Sequence, residues 1–312
     1  NTYTFSGLEA GMEYNFIVYA IDSAGYKSNE YTLQVTTDAG VNFASYIINN
    51  VYTTDGTNGL YYHDGVGSYT NADQEAGDNS YRYSGANPNN YVCFGSDAAT
   101  CPSDNLYRII GLFDDDNDGI YNIKLIKSTS YGSYAWDSGN SNTWNETEKP
   151  DIYTTLNTTY WNSLSNKWQS LIEETYKWQV GGMAKDNAYI AKQYYNTEIK
   201  NQTGYEETMA VGLMYVSDYG YAASPENWQT ALNYYDNTTN TNNNWVYLDA
   251  YEWTISRSSV YADNVFSMTS SGYVRTGDAD KDGYAFRPSF YLKSEVALEG
   301  GTGNLSDPYK IA

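Results

Sequence analysis

Basic side chains are scarce in this chain: 17 Lys+Arg stand against 38 Asp+Glu, for a formal net charge of −21. A phosphate backbone needs a basic footprint, so the balance excludes nucleic acid as a partner and argues equally against adsorption to anionic lipid. Long apolar runs are missing too, and no stretch approaches the ~20 residues a helical span needs. Histidine occurs once, at His63. A Ser–His–Asp constellation would have to use it, and no G-x-S-x-G frames a nucleophile. His63 therefore reads as solvated or loop-bound. Cysteine occurs twice, at Cys93 and Cys101, and two thiols with one imidazole cannot supply four protein ligands to zinc. Their spacing, CFGSDAATC, closes a loop small enough to bridge a hairpin. That reads as a disulfide in an oxidising compartment, against the competing reading of two buried thiols. A leader peptide is also missing, but the chain opens in what reads as mid-domain, so nothing follows from it.

What is present is aromatic. The 36 Tyr and 8 Trp raise the aromatic share to 17%, beside 18% charged residues. Disordered chains lack aromatics, so this is a folded composition of extracellular character, rich in Asn, Thr, Ser, Gly and Tyr. At 312 residues it is long enough for one large domain or two unequal ones.

Residues 1–38 read as the last strands of a fibronectin-type-III-like sandwich. Thr2–Phe5 and Tyr14–Asp22 alternate as strands do, Leu8-x5-Tyr14 resembles a tyrosine corner, and DSAGYKS (22–28) resembles the hairpin before a final strand, Tyr31–Thr36. On that reading, further strands lie upstream and the module is one bead of a longer surface chain. Asp38–Gly40 is the expected linker to a second domain, 39–312. There, Phe43, Ile47, Ile48, Val51 and Tyr52 share one helical face, giving a helix over 42–52. Leu106–Phe113 and Ile120–Lys127 form a hairpin. Trp168, Leu171, Ile172 and Tyr176 mark a helical region over 151–176, and Ser224-Pro225-Glu226 starts another helix. Asn237–Asn244 is a low-complexity loop tip. The fold class expected is α+β, with short helices and long loops.

Two acidic strings invite a cation. Asp114, Asp116 and Asp118 precede Gly119; Asp278, Asp280 and Asp282 precede Gly283. Alternate carboxylates before a glycine are how a loop wraps oxygen around Ca²⁺. The Glu of a twelve-residue calcium loop is missing, replaced by Leu125 and Ser289. Solvated acidic turns remain the competing reading, strengthened at the first string by the turn the hairpin needs. Trp136, Trp144, Trp161, Trp178, Trp228 and Trp245 could stack on sugars, although at helical or strand spacing such residues are more often core.

The stretch from Trp253 to Leu292 is the most informative. It opens on a Trp and closes on Arg-Pro-Ser-Phe-Tyr-Leu, with some thirty residues of Ser, Tyr, Asp, Asn, Arg and Gly around Val265, Phe266 and Val274. A rigid frame carrying small polar and Tyr side chains is the chemistry of a recognition surface, because Tyr brings contact area at low entropic cost and Ser and Asn bring adaptable hydrogen bonds. The expected ligand-binding residues are Arg257, Ser259, Tyr261, Asp263, Asn264, Arg275, Thr276, Asp278 and Tyr284. Trp253, Phe266, Arg287, Pro288 and Tyr291 are the expected scaffold, with Arg287 paired to a core carboxylate.

WTISR (253–257), the S-x-G-x-V of 270–274 and RPSFYL (287–292) together resemble a family of Gram-positive surface and phage-associated modules with a C-type-lectin-like, formylglycine-generating-enzyme-like fold. DNSYRYSGANPNNY (78–91), YRIIGL (107–112) and MYVSDYGYAA (214–223) extend the resemblance over roughly residues 40 to 312. It implies a binding module whose partner is a protein or glycan on another cell or phage surface, and in some members a C-terminal segment diversified by retroelements. The enzymatic branch of that fold uses cysteines near the C-terminal core. With no Cys after position 101, that chemistry does not carry over. The competing readings are a subunit of a surface fibre, joined by strand addition through the N-terminal strands, and, with no motif behind it, a glycan or cell-wall hydrolase.

Overall fold

The computed structural model describes residues 12–36, 40–66, 72–184, 189–236 and 243–312. The expected strand Thr2–Phe5, Leu8 of the tyrosine corner, Asp38 of the linker and Asn237–Asn242 of the loop tip lie outside the described residues.

In chain order the strands begin with β1 (Glu13–Val18), β2 (Tyr31–Thr36), β3 (Val41–Asn42), β4 (Leu60–Tyr62), β5 (Tyr81–Tyr83) and β6 (Tyr91–Cys93). Next come β7 (Leu106–Phe113), β8 (Asn122–Lys127), β9 (Gly132–Ser133), β10 (Lys177–Gln179), β11 (Glu206–Thr208) and β12 (Glu252–Arg257). The last six are β13 (Asn264–Met268), β14 (Val274–Asp278), β15 (Ala285–Phe286), β16 (Ser289–Tyr291), β17 (Ala297–Gly300) and β18 (Tyr309–Ile311).

β1 and β2 form an antiparallel ribbon in which Glu13 faces Thr36, and its apolar side chains, Ile17, Tyr31 and Leu33 among them, are exposed. The largest sheet runs β16-β8-β7-β6-β18-β17-β3, with β4 and β5 joined to it through β7. The second runs β14-β13-β12-β15-β9, and β10 pairs with β11 alone. β7 and β8 are buried almost throughout and pair Phe113 with Asn122, so the expected hairpin forms with its turn over 114–121. Continuous burial explains why LYRIIGLF and NIKLIK read as apolar runs rather than as alternation. Phe94 centres the core, with its ring 4.7 Å from Phe290, 5.1 Å from Trp168 and 5.4 Å from Tyr107.

Short helices fill the sheet margins. α1 (Phe43–Tyr46) continues as one wide turn to Val51, and the Asn42 side chain accepts the Ser45 N–H at 2.9 Å. Phe43, Ile47 and Val51 point inward, as their spacing predicts. α2 (Asp151–Thr154) winds on to Ser163, and α3 (Asn166–Gln169) is separate. The single helical region expected over 151–176 is therefore broken. Leu164 and Ser165 are extended, and the Ser163 hydroxyl bonds the Tyr160 carbonyl at 2.6 Å, the local competition with the backbone at which Ser excels. Beyond Gln169 the chain turns toward β10, with Ile172 bridged to Leu292. The helix expected at Ser224 is one turn, Pro225–Asn227, and Ser224 bonds Asn243 instead of capping it. α4 (Ala191–Tyr195, continuing to Lys200) and α5 (Val216–Tyr221) are the elements the sequence reading missed.

The described chain is thus mixed α+β, mostly sheet with few short helices, and no described helix is long and apolar enough to cross a membrane. Cys93 and Cys101 form a disulfide, their Cα atoms 5.7 Å apart, which is consistent with an extracellular location. Five of the six tryptophans weighed as a sugar platform (136, 144, 178, 228 and 245) are buried, and Trp161 packs half-buried against the same core.

Candidate functional site

The C-terminal frame rests on a buried ion pair. Arg287 donates from Nε to Glu252 Oε1 at 2.6 Å, and from Nη2 to Glu252 Oε2 at 2.8 Å and to the Val246 carbonyl at 2.6 Å. Glu252 is thus the carboxylate that partners Arg287. Burial raises the Glu252 carboxyl pKa, and Arg287 opposes that shift. Trp253, Phe266, Pro288 and Tyr291 are buried around this pair.

The nine candidate binding residues are distributed unevenly over that frame. Ser259 and Tyr261 are exposed, Tyr261 at 62%, on a loop fixed from below. The Asn142 amide donates to the carbonyls of Ser258, Tyr261 and Asn264 at 2.9, 2.8 and 2.6 Å. The Ser258 hydroxyl receives the N–H groups of Val260 and Tyr261, both at 3.1 Å. Arg257 is half-buried and donates to the Val180 carbonyl at 2.8 Å; Asn264 bonds Asp263 at 2.8 Å. Strand register divides the others: Asn264 faces Asp278 and Phe266 faces Thr276, while Ser267 faces both Arg275 and Trp253. Because side chains alternate across a strand, Arg275 lies on the opposite side of β14 from Thr276 and Asp278 is back with Thr276. Tyr284 stacks on Trp253 (4.4 Å) and on Tyr251 (4.9 Å), and the Arg275 guanidinium lies 5.7 Å from the Tyr251 ring. A ladder of rings thus rises from the buried Trp253 to a half-buried arginine.

The two acidic strings differ. Asp114, Asp116 and Asp118 each offer an oxygen within 4.8 Å of the others, the one such group among the described residues. Asp114 is itself occupied as a turn acceptor, taking the N–H groups of Asp118 at 3.0 Å and Gly119 at 2.9 Å. Three carboxylates match the hard-oxygen chemistry of Ca²⁺ but are fewer than the six to eight ligands it takes, so carbonyls or water would complete the shell. In the second string Lys281 stands 2.8 Å from Asp278 and 4.0 Å from Asp280, and the three acids do not converge.

His63 is buried, not solvated. Its Nδ1 accepts the Ala76 N–H at 3.1 Å, its Nε2 meets no hydrogen-bond acceptor, and the rings of Tyr221 and Trp228 lie 4.9 Å away. Burial, aided by the charge of Arg82 and opposed by Asp78, lowers its pKa to about 3.

Sequence reasoning missed a cleft of about 710 Å³, lined by residues from β5, the β7–β8 turn, β10, the α4 extension, α5 and β16. A network of charge lies beneath it. Arg82 donates to Asp78 at 2.6 Å and to Ser80 at 2.9 Å, and Lys124 lies 2.6 Å from Asp218. Burial alone would lower the Arg82 pKa, but Asp78 and Asp218 raise it, so the guanidinium stays charged. Glu198 accepts the N–H groups of Val216 and Ser217 at the start of α5, together with the Ser256 hydroxyl. Burial raises its pKa against those hydrogen bonds. One signal was legible: Lys124 interrupts the apolar run NIKLIK, whereas Arg82 alternates with Tyr81 and Tyr83 and reads as an outward position. None of the nine candidate residues lines this cleft. Compared with known proteins, the chain matches no family model, no curated protein and no solved structure.

Proposed function

We propose that this chain is an extracellular ligand-binding module of C-type-lectin-like type, without catalytic activity, that presents its C-terminal segment to a protein or glycan on another surface. The observations that carry the reading are the ring ladder Arg275–Tyr251–Tyr284–Trp253 and the pinned loop that holds Tyr261 out at 62% exposure. Recognition needs polar and aromatic groups held on rigid support, and hot spots are enriched in Tyr and Arg. The loop meets the requirement because its bonds run through Asn142 and Ser258, which leaves the Ser259 and Tyr261 side chains uncommitted to the fold. The disulfide suits an oxidising exterior.

The test is surface plasmon resonance of the purified module over defined cell-wall polysaccharides and extracellular-matrix proteins. Tyr261→Ala and Arg275→Ala should each weaken whatever binding is found at least tenfold with no change in melting temperature. Binding indifferent to both would place recognition elsewhere. The fibre-subunit reading draws support from the exposed apolar side chains of β1 and β2. Light scattering decides it, since a monodisperse monomer counts against assembly through this ribbon.

A further inference from the structure

We infer that the cleft above Arg82 and Asp218 is a second binding site, independent of the C-terminal face, for a neutral polyhydroxylated ligand such as a short saccharide. The carrying observation is a pair of unmet polar atoms on its floor. Arg82 Nη1 and Asp218 Oδ1 are buried and face each other as an ion pair at 3.6 Å, yet neither makes a hydrogen bond among the described residues, so each keeps a hydrogen-bonding valence open. A buried donor or acceptor left unmade costs about 1–3 kcal/mol, so such atoms mark a place where something else bonds.

The chemistry of the pair selects the ligand. One atom only donates and its neighbour only accepts. A hydroxyl does both, and two adjacent hydroxyls satisfy the two atoms together, which neither an ammonium nor a carboxylate can do. The cleft adds a third unmet atom, Gln179 Oε1, which accepts. Carboxylates outnumber basic side chains seven to three in the lining, so an anion is repelled. The same excess draws cations, but the faces of Tyr215 and Tyr291 that would hold an organic ammonium are already occupied by Lys124, at 4.4 and 5.2 Å. What remains for the ligand is ring surface, chiefly Tyr176 stacked on Tyr291 at 3.5 Å, suited to the C–H face of a sugar. A volume of about 710 Å³ falls within the range of small-molecule sites.

The experiment is saturation-transfer NMR and calorimetry on the whole chain with three probes: methyl glucoside, cellobiose and glucuronate. The two neutral sugars should bind, cellobiose more tightly, with glucuronate at least tenfold weaker. Gln179→Met keeps the side-chain length and removes the acceptor, together with the amide donor that bonds Glu206 at the exposed edge. It should weaken cellobiose about tenfold, while melting temperature and any binding through Tyr261 stay as they are. Asp115→Asn, on the exposed rim, should instead narrow the discrimination against glucuronate. No binding of either neutral sugar at tens of millimolar would overturn the inference, leaving ordered water as the partner of the floor atoms. Equal binding by wild type and Gln179→Met would overturn it as well.

Discussion

Between pH 7 and pH 5, above the range where carboxylates such as the Arg82-paired Asp78 titrate, acid should weaken this protein through His63. His63 is fully buried with its Nε2 facing no acceptor, and its pKa is lowered from 6.5 to about 3. The unfolded chain takes up a proton near 6.5 and the native state does not, so stability rises with pH wherever the unfolded form holds more protons. The contribution is whole above 6.5 and drains by about 1.4 kcal/mol per pH unit below it. Between pH 7 and pH 5 the loss is about 2 kcal/mol, and by pH 3 it reaches about 4 kcal/mol. Glu198 and Glu252, whose pKa values are raised, gain stability on acidification and work in the opposite sense, so the His63 contribution must be isolated by variant. His63→Gln leaves an amide oxygen to take the Ala76 N–H. Urea titrations at pH 7 and pH 5 should then differ by about 2 kcal/mol more in wild type than in the variant. Because the chain has one histidine, its imidazole is a single NMR signal. A native signal titrating near 6.5, or equal pH slopes in the two proteins, would refute the reasoning.

Removing the Cys93–Cys101 bridge, which closes a loop of about nine residues, should cost roughly 2–3 kcal/mol by chain entropy. Non-reducing mass spectrometry that finds two alkylatable thiols in native protein would contradict the bond. Arg287→Met strands Glu252 without its bidentate partner and should destabilise by about 3–5 kcal/mol in denaturant titration; a loss below about 1 kcal/mol would mean that water reaches the pair. If Asp114, Asp116 and Asp118 hold Ca²⁺, the free ion at a hundredfold its Kd adds about 2.7 kcal/mol to native stability. Chelation should then lower the melting temperature of wild type but not of Asp116→Asn, whereas identical melting curves with and without EDTA leave an ordinary turn.

Much of the architecture could be read before any coordinate, where one local rule dominated. The α1 face, the β7–β8 hairpin, the 93–101 bridge and the buried Trp253, Phe266 and Tyr291 each followed from spacing or end residues. The helix over 151–176 failed because helical periodicity at Trp168, Leu171, Ile172 and Tyr176 outlasts the helix: Ser163 and Ser165 break the backbone while the apolar spacing carries on. α4 and α5 were missed because their inward positions carry Tyr194, Tyr195, Glu198 and Asp218, which read as polar surface. His63 was misplaced for the same reason, since a lone polar residue in a Gly- and Tyr-rich stretch gives no sign of the rings that enclose it.

The cleft and the C-terminal face obey opposite constraints. Arg82, Lys124 and Asp218 are paired through Asp218, so replacing any of the three leaves a buried charge unmatched, at several kcal/mol, while Glu198 is held by backbone N–H groups and Ser256. That floor admits one chemistry and cannot be retuned by single substitutions. At the C-terminal face the fold-holding bonds belong to Asn142, Ser258, Arg287 and the backbone, while Ser259, Tyr261, Asp280 and Asp282 reach solvent. Those positions can change residue with little cost to folding. Single substitutions over 259–263 and 280–283 should therefore cost the fold less than substitutions among the buried charges of the cleft.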